Sequence, residues 1–271
     1  MKSAKKVSKK PKMFESLVEY WNNVDCLNRI QPKDAVFLKA NETEADKFKL
    51  HTDLYPEPYM GDLSNPKIVF LFLNPGYQIS DDNAHKNNEI GKALRNIIHQ
   101  DFSVTEYPFF WLDENYRDAT NETNPGAYYW NRLVNQKTGT SFLKSFADAR
   151  WGKDEEKARK WLAQNICDIE LFPYHSKSFN RKWMDSSSVS EARKAVIEAI
   201  NKNSDTLFVF MRSFALWIPE EEQRAIIKQK TNVIINKSVR RPSLNPNIKP
   251  KNGEECIGKR ILDFLLHLNQ F

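Results

Sequence analysis

The chain has 271 residues, 40% of them hydrophobic and 28% charged, with a net charge of +6. That is enough apolar material for one large folded domain, and no apolar run approaches the ~18–20 residues of a membrane span. The three cysteines, Cys26, Cys167 and Cys256, are odd in number and far apart, which excludes a disulfide scaffold or a CxxC-based zinc or iron–sulfur site and points to a reduced, cytoplasmic setting.

The first twelve residues hold Lys2, Lys5, Lys6, Lys9, Lys10 and Lys12, which together equal the whole net charge. They read as a flexible basic tail ahead of a single domain spanning 13–271. Such an arm suits phosphate binding or, more plainly, solubility. Residues 13–23 follow with Phe14, Leu17, Val18 and Trp21 at helical spacing.

Residues 67–73 then form a short, continuous apolar run, the pattern of a strand buried on both faces. It stops at Asn74-Pro75-Gly76, where proline ends the ladder and glycine permits a turn or a close approach. Further on, helical spacing returns at 88–100. An aromatic loop fills 101–127, and a helix begins near Tyr128, Tyr129, Trp130 and Leu133. Another helix is expected at 154–164, a strand at 166–172, a helix at 188–202, strands at 206–211 and 232–235, and a last helix at 255–268. Strands separated by helices predict an α/β three-layer sandwich around a four-stranded, mostly parallel sheet. Ligands of such sheets bind at the carboxyl ends of the strands, which is where Asn74 falls.

Three pieces of the chain, in order, resemble the uracil-DNA glycosylase superfamily. Leu73-Asn74-Pro75-Gly76 is similar to the first motif of its mismatch-specific branch, Gly-Ile-Asn-Pro-Gly. Arg241-Pro242-Ser243-Leu244, after the fourth expected strand, is similar to the second motif, His-Pro-Ser or Asn-Pro-Ser. The strand from Cys167 to Phe172 stands where that superfamily carries its base-reading residue. The longer pattern Asn-Pro-Gly-Tyr, Tyr-Pro-Phe-Phe-Trp-Leu-Asp and Phe-Pro-Tyr-His-Ser resembles a divergent bacterial branch.

The resemblance implies a monofunctional DNA glycosylase that flips a nucleotide and hydrolyses its N-glycosidic bond without metal or cofactor. Asn74 would hold the attacking water, although an asparagine in a turn also serves simply to satisfy backbone groups. Gly76 stands where the uracil-strict branch has a tyrosine that crowds the base at C5, so bulkier 5-substituted bases would fit. Arg241 departs from the motif histidine or asparagine, and would stabilise the leaving base or bind a phosphate. His175, just beyond the second strand, is the other candidate for that catalytic role; a lone histidine is also often a packing residue. Asp168 falls at the base-reading position, with Glu170 the alternative if the register slips. An ionised carboxylate accepts from the N4 amino group of cytosine.

Tyr77 and Phe110 are base-stacking candidates beside Phe109 and Trp111. Lys237, Arg240 and Ser243 would contact the DNA backbone, in a stretch from 237 to 251 that has no acidic residue. The expected substrate is uracil-like or, from Gly76 with Asp168, a 5-modified cytosine, with a role in repair or in defence against phage DNA. Two other readings remain open at this level: an inactive reader of modified DNA, and a hydrolase of small nucleosides.

Overall fold

The computed structural model describes residues 13–24, 29–42, 45–135, 141–236, 243–248 and 256–268. In chain order the elements are α1 (Glu15–Trp21), α2 (Ala35–Ala40), β1 (Tyr59–Met60), β2 (Ile68–Phe72), α3 (Ile79–Lys86), α4 (Asn88–Ile98), α5 (Pro125–Val134), α6 (Phe142–Arg150) and α7 (Glu155–Asn165). They continue with β3 (Ile166–Glu170), α8 (Ser187–Lys202), β4 (Leu207–Phe210), α9 (Phe214–Trp217), α10 (Glu221–Lys228), β5 (Val233–Ile235) and α11 (Ile257–His267).

The sheet order is β1-β3-β2-β4-β5. β3, β2, β4 and β5 are parallel, and β1 is antiparallel to β3. The sheet therefore has five strands and is mixed, where four were expected from sequence. The extra strand has only two residues, too short for any periodicity, and it closes on Gly61 at φ 91°. A Cβ on Gly61 would lie 2.5 Å from the Ile166 carbonyl, so glycine lets the chain pass the start of β3.

Leaving β2, the chain crosses to β3 on one side. It then returns past β2 to β4 on the other. Right-handed crossovers in opposite directions run over opposite faces of the sheet. Trp130 of α5 packs edge-on against Phe70 and Phe72 of β2, which fixes one of these layers. The chain order reverses between β2 and β4, and the crevice beyond their carboxyl ends is the topological switch point where open α/β sheets place ligands.

All five residues of β2 are buried. Burial of side chains this size contributes roughly 1.5–3 kcal/mol each, against about 1 kcal/mol net for a hydrogen bond. Packing therefore sets the position of the strand, and weaker polar contacts set how Asn74 is turned at its end. The helices that flank the crevice are capped from their own sequence. Asn124 accepts from the Ala127 amide ahead of α5, which has proline in its first turn, and Asn87 accepts from Glu89 and Ile90 at the start of α4. Among the described residues, no helix is long and apolar enough to cross a membrane.

Candidate functional site

A cavity of about 470 Å³ opens at the carboxyl ends of β2 and β3. Asn74, Pro75 and Gly76 form one wall, and His175 and Ser176 lie beside them. The two segments are tied together: Phe172 donates its amide to Leu73 O at 2.8 Å, and His175 Nδ1 lies 2.9 Å from Gly76 O. From α9, Trp217 Nε1 donates to Phe72 O at 2.9 Å and pins the end of β2.

The amide of Asn74 has a defined orientation. Its Nδ2 donates to Pro75 O at 2.8 Å and to Ser176 Oγ at 3.0 Å, and the Ser176 hydroxyl in turn donates to Ser178 O. With Nδ2 surrounded by acceptors, Oδ1 is the atom left over, and it accepts no hydrogen bond among the described residues. A half-buried amide oxygen held in this way accepts a hydrogen bond from water and so orients the water's lone pair.

Glu57, partly buried, and the buried His85 and His175 cluster on the same cavity, with ligand-type atoms within 4.8 Å of one another. Their hydrogen bonds show how the protons are placed. His85 Nδ1 accepts from the Tyr55 amide at 3.2 Å, so the proton of the neutral ring sits on Nε2, 3.5 Å from Glu57 Oε1. His175 has oxygen on both sides: Gly76 O at Nδ1, with Tyr55 O at 3.1 Å and Glu57 Oε1 at 3.4 Å from Nε2. Two donors are required there, so His175 is an imidazolium.

The electrostatics agree with that assignment. Burial disfavours charge on Glu57, yet bonds from His175 and His85 hold its carboxyl at about 2. Burial likewise opposes charge on His175, but Glu57 outweighs it and raises its pKa. Burial lowers the pKa of His85, which stays neutral. In this arrangement Glu57 and His175 form a hydrogen-bonded ion pair, with neutral His85 as a second donor to Glu57. His175 reaches the cavity, as expected of a site residue, but its two protons are committed, one to Gly76 O and the other to Tyr55 O and Glu57.

Asp168 also lines the cavity, at 7% exposure, together with Glu170 two residues further along the same strand face. Burial, then the Glu57 charge, pushes the Asp168 carboxyl well above its usual range. Burial therefore favours the protonated form of this carboxyl, which can donate, over the ionised acceptor expected from sequence. Glu170 is raised by burial and by Asp168, against the pull of Arg212, and its Oε2 is buried with no hydrogen-bond partner among the described residues.

Gly76 faces open space: nothing lies within 4 Å of where a Cβ would stand. Its φ is not in the left-handed region, so glycine is not required there by backbone geometry. Two expected stacking residues lie elsewhere. The Tyr77 ring stacks on His51 with centroids 3.3 Å apart, and its hydroxyl donates to Asp82. Phe110 is packed against Trp111 and Tyr116 and lines a second cavity near Tyr107 and Asn115. Phe109 is wholly buried against Trp130. The aromatic walls of the Asn74 cavity are Trp111 and Tyr129, the latter 39% exposed, with Phe72, Trp130 and Phe179.

Lys237, Arg240 and Arg241 lie outside the described residues. Ser243 does not line the cavity, and its hydroxyl accepts from the Asn245 amide in a turn. The arginine and lysine that do line it are Arg212, from the end of β4, and Lys177, which is paired with Asp46 at 2.7 Å.

Sequence reading passed over Ser176, Glu57, His85, Tyr129 and Arg212. Ser176 had a signal, being the last residue of Phe-Pro-Tyr-His-Ser. Glu57 and His85 had none, because only the fold brings them to His175. No protein-family model, curated protein or solved structure matches this chain.

Proposed function

We propose that this protein is a DNA glycosylase that extrudes a nucleotide into the cavity beside Asn74 and hydrolyses its N-glycosidic bond. The observation that carries this reading is the fixed Asn74 amide, with Oδ1 left to hold a water at the switch point of the sheet. The order of the four parallel strands and the motif that ends β2 are compatible with a uracil-DNA-glycosylase-like architecture. The cavity falls within the ~300–1,000 Å³ typical of small-ligand sites, and Trp111 and Tyr129 supply flat surfaces for a flipped base.

The roles follow from chemistry. Asn74 orients water under C1′ but is too weak a base to deprotonate it, so the barrier must fall mainly by stabilising the departing base. Arg212 offers a guanidinium for that negative charge, and makes no hydrogen bond of its own among the described residues. The open face at Gly76 admits substituents at C5. The unpartnered Glu170 oxygen accepts from an exocyclic amino group. Together these favour a 5-modified cytosine over uracil, in repair or in defence against modified phage DNA.

The test is alkali-induced strand cleavage on labelled DNA containing uracil, a G·T mismatch, 5-hydroxymethylcytosine or its glucosylated form. Breaks with wild type and none with Asn74→Ala support the reading, and the responding base names the substrate. DNA binding without breaks by either protein means a reader of modified DNA. Turnover confined to free nucleosides means a small-substrate hydrolase.

A further inference from the structure

Glu57, Asp168 and Glu170 bring three carboxyl groups to one cavity. Glu57 is accounted for by two histidines. Asp168 and Glu170 are not paired with any histidine or lysine among the described residues. They stand two apart on β3, so their side chains leave the same face of the sheet. The groups facing them are Glu57 from the loop ahead of β1, Tyr129 from α5 and Arg212 from the end of β4. Their partners across the sheet, Met60 on β1 and Phe70 and Phe72 on β2, bring no charged side chain. Beyond Glu57 lie His85, His175 and Asp81. The Met60 backbone amide favours an ionised Asp168 without outweighing its burial.

Two neighbouring buried carboxyls beside a third that is already ionised resist losing both protons, because each charge raises the cost of the next. They titrate as one unit that keeps a proton. We propose that Asp168 and Glu170 are a proton-holding pair and that this pair protonates the base as it leaves. The inference rests on the glycosylase reading and adds a catalytic acid to it. Asn74 has no proton to give a leaving base, and His175 has both of its protons tied to main-chain and Glu57 oxygens.

Water held at Asn74 Oδ1 adds to C1′ while the bond from C1′ to the base nitrogen breaks, and the bonding electrons stay with the base. The carboxyl proton moves to the base, on a ring nitrogen or a carbonyl oxygen. The proton shed by the attacking water returns to the carboxylate. One water is consumed, a neutral free base and an abasic sugar are formed, and the pair is restored. Acid assistance of this kind suits cytosine, whose ring nitrogen accepts a proton more readily than a uracil carbonyl.

The experiment is single-turnover base release across pH, on the DNA that responds in the cleavage panel. It compares wild type, Glu170→Gln and the Asp168→Asn/Glu170→Gln double variant. Wild type is expected to show an alkaline limb, falling about tenfold per pH unit once the pair loses its proton. Glu170→Gln removes a neighbouring negative charge, so its limb moves to lower pH. The double variant is expected to lose the limb and about a hundredfold or more in rate, with DNA affinity changed less than threefold. A limb unchanged in the double variant, or base release by wild type with no such limb, overturns the proposal.

A second measurement does not depend on activity or on variants that fold. Carbon NMR titration of the wild-type carboxyls should find the pair retaining a proton near neutral pH, and two carboxyls both titrating near their ordinary values would sink the idea. Absence of base release from every DNA tested, with the raised titration intact, would instead remove the glycosylase reading and the delivery step with it.

Discussion

Asn74 and Ser176 meet at 3.0 Å, with the asparagine nitrogen as donor and the serine oxygen as acceptor. The serine hydroxyl spends its own proton on Ser178 O, so it has only a lone pair to offer, and this fixes which end of the Asn74 amide faces the cavity. Ser176→Ala should therefore loosen the amide without emptying the site. The bond to Pro75 O remains, so the expected loss is one neutral hydrogen bond, about 0.5–1.5 kcal/mol, or up to roughly tenfold in the single-turnover rate. DNA affinity should hold. A rate equal to wild type would show that this contact does not orient the water.

The Glu57–His175 pair gives the fold a dependence on pH with a definite sign. Glu57 is depressed from 4.5 to about 2 in the folded protein, so its contribution is present above about 4.5 and is lost as pH falls toward 2. His175 is raised, so its contribution is full below 6.5 and is lost as pH climbs through its higher folded value. His85 is depressed, and works the other way: its contribution is present above 6.5 and declines below it. The ion pair is fully effective between about 4.5 and 6.5. In that window Glu57→Gln should destabilise by roughly 3–5 kcal/mol, the cost of leaving one buried charge uncompensated. It should also flatten the loss of stability between pH 4.5 and 2. Denaturant melts of both proteins across this range would measure it, and parallel acid limbs would refute the assignment of Glu57.

How far the sequence could be read follows from where its signals are local. The run from Ile68 to Phe72 showed a strand because all five residues are apolar, and the structure bears out that strand and the three later parallel ones within two residues at each end. Helices α2, α3, α6, α9 and α10 did not stand out: α2 and α9 are a turn or so long, α3 is polar over most of its length, and α6 follows a short polar stretch. β1 has no period to detect. At the site, Asn74, Gly76 and His175 were legible because they follow the ends of β2 and β3, and Asp168 because it lies within the β3 run itself. Tyr77 and Phe110 were misplaced for the converse reason: adjacency to a motif says nothing of which way a ring turns, and His51 and Tyr116 claim those two rings. The upward shift of the Asp168 carboxyl could not be read from sequence, since it comes from burial and then from the Glu57 charge, both of which the fold supplies.

Gly76 separates steric from backbone effects. Its backbone conformation suits any residue and a Cβ there meets nothing, so Gly76→Ala should fold with an unchanged melting temperature. Gly76→Tyr should also fold, but its ring would project into the open face of the cavity. Base release from a bulky 5-substituted pyrimidine should then fall at least tenfold relative to an unsubstituted one. Equal loss on both substrates would mean that the C5 side of the base does not face Gly76.

Gly126 is the opposite case. A Cβ there would come within 2.6–2.8 Å of three atoms of the Trp111 indole. Trp111 is 4% exposed and wedged against Phe110, so it has little room to retreat. Gly126→Ala must push the indole into the cavity or lift the first turn of α5. Overpacking of this kind costs about 1–3 kcal/mol, partly offset by alanine's better helix propensity of up to about 1 kcal/mol. The expected result is a net destabilisation together with a narrower cavity, seen as a lower melting temperature and a weaker affinity for DNA carrying the responding base. Trp111→Phe in the Gly126→Ala background should restore much of the stability, because the smaller ring frees the space that the new methyl needs. If the double variant is no more stable than Gly126→Ala alone, the indole is not what the methyl displaces, and Trp111 would lose its place as a fixed wall of the site.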